Sequence, residues 1–363
     1  MDELAIRLGH VDISEKAKTL VNKLLDEKRI GQSEIIGEFE GRFAKWAEVK
    51  HAVAVCNGTM ADTIAISVLK HFNPGKDEVV VPALTFIAQI NSIVYNGLKP
   101  VFVDVGADGL MNLEDALLKT SKKTLCIFPV HLLGKPVSAT SVFQISGLSK
   151  IPIVEDACEA MGSESMNGGV GWMKCGTYGA IGTYSFFPSH TITTGEGGML
   201  VTNDDDYAAL ARRLRNHGKV SNIDFHFDVI GFNGKMSGLH AAVGLGNMDL
   251  ADEVVRRRRA AYFQLGGKED DRLERICPHA FSVVLPGRKE RDETLEMLRE
   301  KGIECRNMFS SLPTQEKAYE WMGHKLGDFP TAERFGDCGL YVPCHQGLSD
   351  SEIQTIKGII DAA

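Results

Sequence analysis

A chain of 363 residues that is 44% hydrophobic and 24% charged, with 37 glycines and 12 prolines, is composed like a globular protein and is long enough for two domains. Forty basic residues against 48 acidic ones leave a formal charge of -8, the wrong sign for a protein that grips nucleic acid through a broad basic face. No apolar run approaches the ~18 residues of a membrane span, and the N-terminus MDELAIRLGH has no basic segment leading into an apolar one, so a soluble cytoplasmic protein is expected.

Helical periodicity covers residues 14–27 and 35–46, with a turn over 28–33. Seven short β-branched or apolar runs follow: HAVAVC from His51, EVVVP from Glu78, KPVFVDV from Lys99, TLCIFPV from Thr124, IPIVED from Ile151, IGTYSFF from Ile181 and GMLVTN from Gly198. Most lack polar alternation, as strands buried on both faces do, and helical stretches at 59–69 and 85–95 separate several of them. The pattern predicts an α/β domain with a mainly parallel, seven-stranded sheet. Residues 239–262 read as one long helix leaving it, with the arginine run 256–259 as the solvated face. AFSVVLP, RDETLEMLREKG and DSEIQTIKGIIDAA then suggest a small α+β domain, giving a division into 1–250, with its N-terminal helical segment, and 251–363. The eight cysteines are scattered, without C-x-x-C or zinc spacing, so free thiols and no metal are expected.

In open α/β sheets ligands bind beyond the carboxyl ends of the strands, where three motifs fall. Asn57-Gly58-Thr59-Met60-Ala61-Asp62 follows a strand and opens a helix, as an anion site or as a plain capped turn with Asn57 as N-cap. Glu155-Asp156-Ala157-Cys158-Glu159 ends a buried strand in carboxylates, which suits a buried cation such as a protonated pyridine nitrogen, a helix cap or a metal ligand. The block from Thr183 to Gly198 carries Ser185, His190 and a G-E-G-G turn; a histidine in a polar, glycine-flanked loop at this edge points to function rather than chain reversal.

The ordered blocks FEGRFAKWAEVKHAVAVCNGT, VVVPALTFIAQINSIVYNGLKPVFVDV, FPVHLLGKP, VEDACEAMGSE, SFFPSHTITTGEGGMLVTND, LRNHG, GFNGKMSGLHAAVGLGNMD and LYVPCHQGLSDSEI resemble the DegT/DnrJ/EryC1/StrS sugar aminotransferase family over most of the chain. The resemblance implies a fold-type I enzyme of pyridoxal 5'-phosphate (PLP), with a large domain, a small C-terminal domain and a homodimer with shared active sites. It implies that the Gly58-Thr59-Met60 turn offers the N–H groups of Thr59 and Met60, and Ser185 its hydroxyl, to the cofactor phosphate, with Asn233 reaching it from the partner subunit. Phe86 would stack on the pyridine ring, Asp156 would keep the ring nitrogen protonated, and Glu159 stands where many members have Gln or His beside the phenolic oxygen.

Where the aminotransferases read S-F-x-x-x-K, with the Schiff-base lysine last, this chain has His190. That resembles the smaller branch of 3-dehydratases of nucleotide-linked 4-keto-6-deoxy sugars, as does the E-D-A-C-E segment, while TITTGEGG and LRNHG look like the aminotransferase majority. Nothing promotes the nearby Lys174 to the missing role. Imidazole cannot hold PLP covalently, but with a reference pKa of ~6.5 it can shuttle a proton. The expected reaction takes an amino group from a donor such as L-glutamate to form pyridoxamine 5'-phosphate (PMP). Loss of the sugar's C3 hydroxyl follows with His190 as base and acid, and ammonia and a 3-deoxy-4-keto sugar are released.

After His190 only Cys277, Cys305, Cys338 and Cys344 remain, too dispersed for an iron–sulfur cluster. Arg306 is either a clamp for a donor carboxylate or sugar-nucleotide phosphate, or a surface arginine. His131 and His217 read as structural residues or as residues that support the site from behind its lining. The alternatives are a nucleotide-sugar aminotransferase in which His190 replaces the lysine, and a non-catalytic PLP-fold regulator.

Overall fold

The computed structural model describes residues 5–221 and 225–363; the first four residues of the MDELAIRLGH segment lie outside the described residues. The seven expected strands are β1 (His51–Val55), β2 (Glu78–Pro82), β3 (Lys99–Val103), β4 (Thr124–Ile127), β5 (Val154–Asp156), β6 (Ile181–Ser185) and β7 (Gly198–Thr202). They form two ladders, β3-β2-β4 and β5-β6-β7-β1, which parallel bridges from Ile127 to Ile153 and from Val130 to Asp156 join into one sheet. β7 pairs antiparallel with both β6 and β1, while β2 with β3, β2 with β4 and β5 with β6 are parallel.

Why the strands show no polar alternation is visible in β2. Val79 and Val81 enter one hydrophobic core and Val80 the other, all three without exposed surface. Both faces are covered, so both sets of side chains must be apolar. Helices α3 (Gly58–Phe72) and α4 (Ile87–Tyr95) supply Ile64, Leu69, Ile90 and Ile93 to the first core. α1 (Glu15–Asp26) and α2 (Ile35–Ala47) cover the second, where Phe39 and Phe43 meet Phe186 at centroid distances of 5.3 and 5.5 Å. Ser14 caps α1, its hydroxyl accepting from the Ala17 N–H at 3.0 Å.

The single helix expected over 239–262 is two: α5 (Gly238–Asn247) and α6 (Ala251–Gln264), separated by a 3-10 turn, Met248–Leu250. Asn247 marks the break. It is buried, its amide donates to the Asp12 and Thr193 carbonyls at 3.0 Å each, and its side-chain oxygen accepts from the Ser14 N–H at 3.0 Å. Both helices bury a face, so the apolar pattern runs on through the 3-10 turn. A second correction concerns the arginine run: Arg256 and Arg257 are exposed, but Arg258 is completely buried. Its charge is matched by oxygens brought from distant segments, which periodicity does not reveal.

The small domain is built on an antiparallel sheet in the order β8 (Phe281–Val284), β10 (Gly339–Val342), β9 (Arg306–Asn307), with α7 (Arg288–Glu300) and α8 (Asp350–Asp361) against it. Ile6 bridges Ile303 and sits in this core, so the start of the described chain packs with the C-terminal domain. An outer hairpin, Glu164–Asn167 with Gly171–Lys174, pairs with Glu274–Arg275; its mixed, partly exposed residues carry no strand signal. Among the described residues no helix is long and apolar enough to cross a membrane.

A Cβ on Gly246 would stand 2.4 Å from the Ala17 backbone nitrogen, because α1 and α5 touch there. Gly246→Ala, which favours an isolated helix by ~1 kcal/mol, is therefore expected to destabilise this protein by ~1–3 kcal/mol in urea unfolding. An unchanged or raised midpoint would contradict that packing.

Candidate active site

A cavity of about 330 Å³ opens where the carboxyl ends of β5 and β6 meet the N-terminus of α3 and the small domain. Gly58, Thr59, Phe86, Asp156, Glu159, Ser185, His190 and Arg306 all line it. The glycine is required by the close approach of helix to strand: a Cβ on Gly58 would lie 2.8 Å from the Ser185 Cβ and 3.1 Å from the Cys158 Sγ. Asn57 caps α3 and takes the Met60 N–H at 2.8 Å. The Gly58 and Thr59 amides of the same turn have no acceptor within the helix. Met60 lies outside the lining, packed where a Cβ on Gly234 would come within 2.7 Å of its Cγ.

On the acidic side, Asp156 ends β5 and accepts from the Cys158 N–H at 3.1 Å. The Asp62 carboxyl joins it, with one ligand atom from each of Asp62, Asp156 and Cys158 lying within 4.8 Å of one another. Asp62 accepts from the Thr183 hydroxyl at 2.7 Å. Burial raises both carboxyls above the ordinary range, Asp62 strongly so, with the Asp156 charge adding to the effect. Among the described residues neither forms an ion pair.

Glu159 is held by the loop that follows β4. Leu133 sits in the left-handed region, φ 52 and ψ 26, donating its N–H to the Glu159 Oε2 at 2.7 Å while its carbonyl accepts from the His279 N–H at 3.1 Å. Burial pushes the Glu159 carboxyl up to about 8, so it is largely protonated at neutral pH. Its Oε1 lies 4.0 Å from the His279 Nε2.

His190 is set from behind by Arg258. The guanidinium donates through Nη2 to the Ser189 and His190 carbonyls, both at 3.0 Å, and through Nη1 to the Pro278 and His279 carbonyls at 3.1 and 3.4 Å. Nε donates to the Gln346 Oε1 at 3.0 Å. The His190 and His279 rings are thereby 4.8 Å apart between centroids, tilted by 44°. Burial, then the Arg258 charge, pushes the His190 imidazole down to about 3; burial, His190 and Arg258 lower His279 as well. Both rings are neutral at pH 7.

The remaining expected residues divide. The Ser185 hydroxyl accepts from the Phe187 N–H at 3.4 Å, and the Phe86 ring lies 5.8 Å from that of Phe309. Arg306 is 63% exposed and donates to the Glu304 Oε1 at 3.1 Å. Asn233 is exposed and outside the cavity of its own chain, its side-chain oxygen accepting from the Lys235 Nζ at 2.8 Å. Lys174 is not among the lining residues; it pairs with Glu48 at 2.5 Å. His131 is buried, its Nδ1 accepting from the Val137 N–H at 2.9 Å and its Nε2 meeting Glu155 at 3.0 Å, and His217 occupies a left-handed turn with φ 62.

The DegT/DnrJ/EryC1/StrS aminotransferase family matches residues 11–361. The chain belongs to this family. It is 35% identical to a GDP-perosamine synthase of Caulobacter vibrioides over 90% of this chain and 89% of that one. It is 28% identical to a GDP-4-keto-6-deoxy-D-mannose 3-dehydratase of Escherichia coli, over 96% and 97%. Its fold matches the solved structure of an Escherichia coli GDP-4-keto-6-deoxy-D-mannose-3-dehydratase with bound hydrated PLP, at a TM-score of 0.88 and 24% identity, over 98% and 99% of the two chains. The architecture is that of fold-type I.

The cavity fits a pyridine cofactor: first-turn amides and a hydroxyl line it, together with a buried carboxyl that forms no ion pair among the described residues and an exposed aromatic ring. Sequence reasoning missed Asp62, Glu196, His279, Phe309 and Tyr341, which also line it. Asp62 lay within a quoted motif, as an acid in an otherwise apolar helix; His279 had only the signal of a histidine just before a small-domain strand.

Two consequences are measurable. Arg258→Ala strands four backbone carbonyls and is expected to cost ~3–5 kcal/mol, and Arg258→Lys, with three donors for five acceptors, still ~1–3 kcal/mol. Urea unfolding of both variants checks this; a loss below ~0.5 kcal/mol in either would contradict the buried network. For Glu159 the folded state holds its proton to about pH 8 and the unfolded chain only to about 4.5, so its contribution to stability is complete below 4.5 and lost as pH rises to 8. Glu159→Gln should therefore gain stability relative to the wild type between about pH 5 and 8, read from unfolding midpoints across that range.

Proposed function

We propose that this protein is a PLP- and PMP-dependent 3-dehydratase that removes the C3 hydroxyl of a nucleotide-linked 4-keto-6-deoxy sugar. The observation that carries the reading is His190: a neutral imidazole stands in the cofactor cavity at the family's Schiff-base position, and no lysine is among the lining residues. A cofactor kept by non-covalent contacts alone follows from that.

In this reading the Thr59 amide and the Ser185 hydroxyl hold the phosphate, and Asn233, exposed and away from its own cavity, reaches it across a homodimer. Met60 offers its N–H only if Asn57 releases it. Phe86 covers the ring, Asp156 keeps the ring nitrogen protonated, and the protonated Glu159 donates toward the phenolic oxygen. The chemistry supplied by the bound cofactor is an amine, acquired from a donor such as L-glutamate, for the sugar ketone, and an electron sink for expulsion of the hydroxyl. His190 accepts a proton at a ring nitrogen and returns one to the departing oxygen, which a permanently charged imidazolium could not do. Arg306 clamps a donor carboxylate or the sugar-nucleotide phosphate through its planar fork.

The relatives' names favour a GDP-linked sugar. The higher identity to a GDP-perosamine synthase favours the second reading, a nucleotide-sugar aminotransferase, against which His190 argues. Clustering of Phe86, Asp156, Ser185 and His190 around one cavity counts against a non-catalytic regulator.

The test supplies the protein with PLP, L-glutamate and GDP-4-keto-6-deoxyhexoses and follows product mass, 2-oxoglutarate and ammonia. A 3-deoxy-4-keto product with free ammonia is expected, with turnover falling at least ~100-fold in His190→Asn. A stable amino sugar from the wild type would move the protein to the aminotransferases; from His190→Lys alone it would support the assignment of His190.

A further inference from the structure

His279 belongs to no motif above, yet it lines the same cavity from the small domain. Its ring and that of His190 lie 4.8 Å apart, and in both the Nδ1 is buried without a hydrogen-bond partner among the described residues. Buried ring nitrogens are normally satisfied, so two orphans on neighbouring imidazoles mark a site held ready for a partner. The placement is enforced: one guanidinium, that of Arg258, grips the carbonyls of both histidines, which come from different parts of the chain. Beyond His279 stands Glu159, Oε1 to Nε2 at 4.0 Å, and Leu133 bonds to both through its own N–H and carbonyl.

We infer that His279 is the proton-relay and positioning partner of His190, forming with Glu159 a three-membered chain that carries the proton His190 exchanges with its substrate. This rests on the dehydratase reading for the reaction served, but not for the geometry. When His190 gains a proton at one ring nitrogen it gives up the proton on the other to His279. His279 in turn passes one to the Glu159 carboxyl in its ionised form, a minority at pH 7 that grows toward pH 8, and the reverse sequence restores the start. Each imidazole ends with the protons it began with, one proton has moved, and no bond other than N–H and O–H changes. The relay spares His190 from persisting as an imidazolium close to the Arg258 cation, in a setting where burial already disfavours it. The present gap between the rings exceeds a hydrogen bond and closes by ring rotation or one bridging water, as catalytic contacts do on loading.

The experiment compares His279→Asn and His279→Gln with the wild type as PLP-loaded protein, measuring PLP affinity by fluorescence titration and kcat and KM with L-glutamate and the GDP-4-keto-6-deoxyhexose. Expected is a fall in kcat of at least ~10-fold, with PLP affinity and sugar KM within ~2-fold. A kcat within ~2-fold of the wild type in both variants overturns the relay, as does a loss confined to KM or to PLP affinity, which would make His279 a structural residue. The wild-type product, weighed in the same assay, reports separately on the dehydratase reading. An amino sugar there would overturn that reading, while the ratio of variant to wild-type kcat still decides the role of His279.

Discussion

The buried guanidinium of Arg258 is the constraint on which the candidate site depends. It is completely enclosed, and its five donors meet four backbone carbonyls and the Gln346 side chain. A cation taken out of water at such cost is retained only when every donor is satisfied. The acceptors lie on the His190 loop of the large domain, on the Pro278-His279 segment, and on Gln346 near the C-terminal helix. One side chain therefore ties these three segments together and fixes where two imidazoles stand. Burial keeps both rings neutral, and the positive charge of Arg258 adds to that effect.

The acidic residues of the cavity obey the complementary rule. Asp156 and Asp62 are buried close together and form no ion pair among the described residues, and Glu159 is buried against a backbone amide. Like charges in one low-dielectric space do not all ionise, so protons are retained on carboxyls that would lose them in water. A protonated ring nitrogen placed there would relieve the imbalance. The cavity thus combines neutral imidazoles with proton-holding acids, Glu159 standing next to His279.

Much of this was legible in the residues. All seven sheet strands were visible as apolar runs, because a sheet covered on both faces leaves no polar position to confuse the pattern. The strand-to-helix turn at Asn57 and the strand ends at Asp156 and Ser185 were found because chemistry at the carboxyl edge of such a sheet must come from those places. The hairpin at 164–174 was not, since its partly exposed strands need no apolar face. The 3-10 turn at 248–250 was hidden by an apolar pattern common to both helices. Arg258 was hidden most completely: in a run of four arginines nothing local distinguishes the buried one from the exposed Arg256 and Arg257 or the half-buried Arg259.

The sequence by itself determined the class of sheet, the motif residues around the cavity and the replacement of a lysine by His190, since each is written in a contiguous segment of a few residues. Only the tertiary structure decided that His279 stands beside His190, that Asp62 stands beside Asp156, and that Arg258 turns inward. Those relations join segments up to about a hundred residues apart, and they arise from buried polar groups finding partners wherever the fold brings them. No local periodicity records such matches.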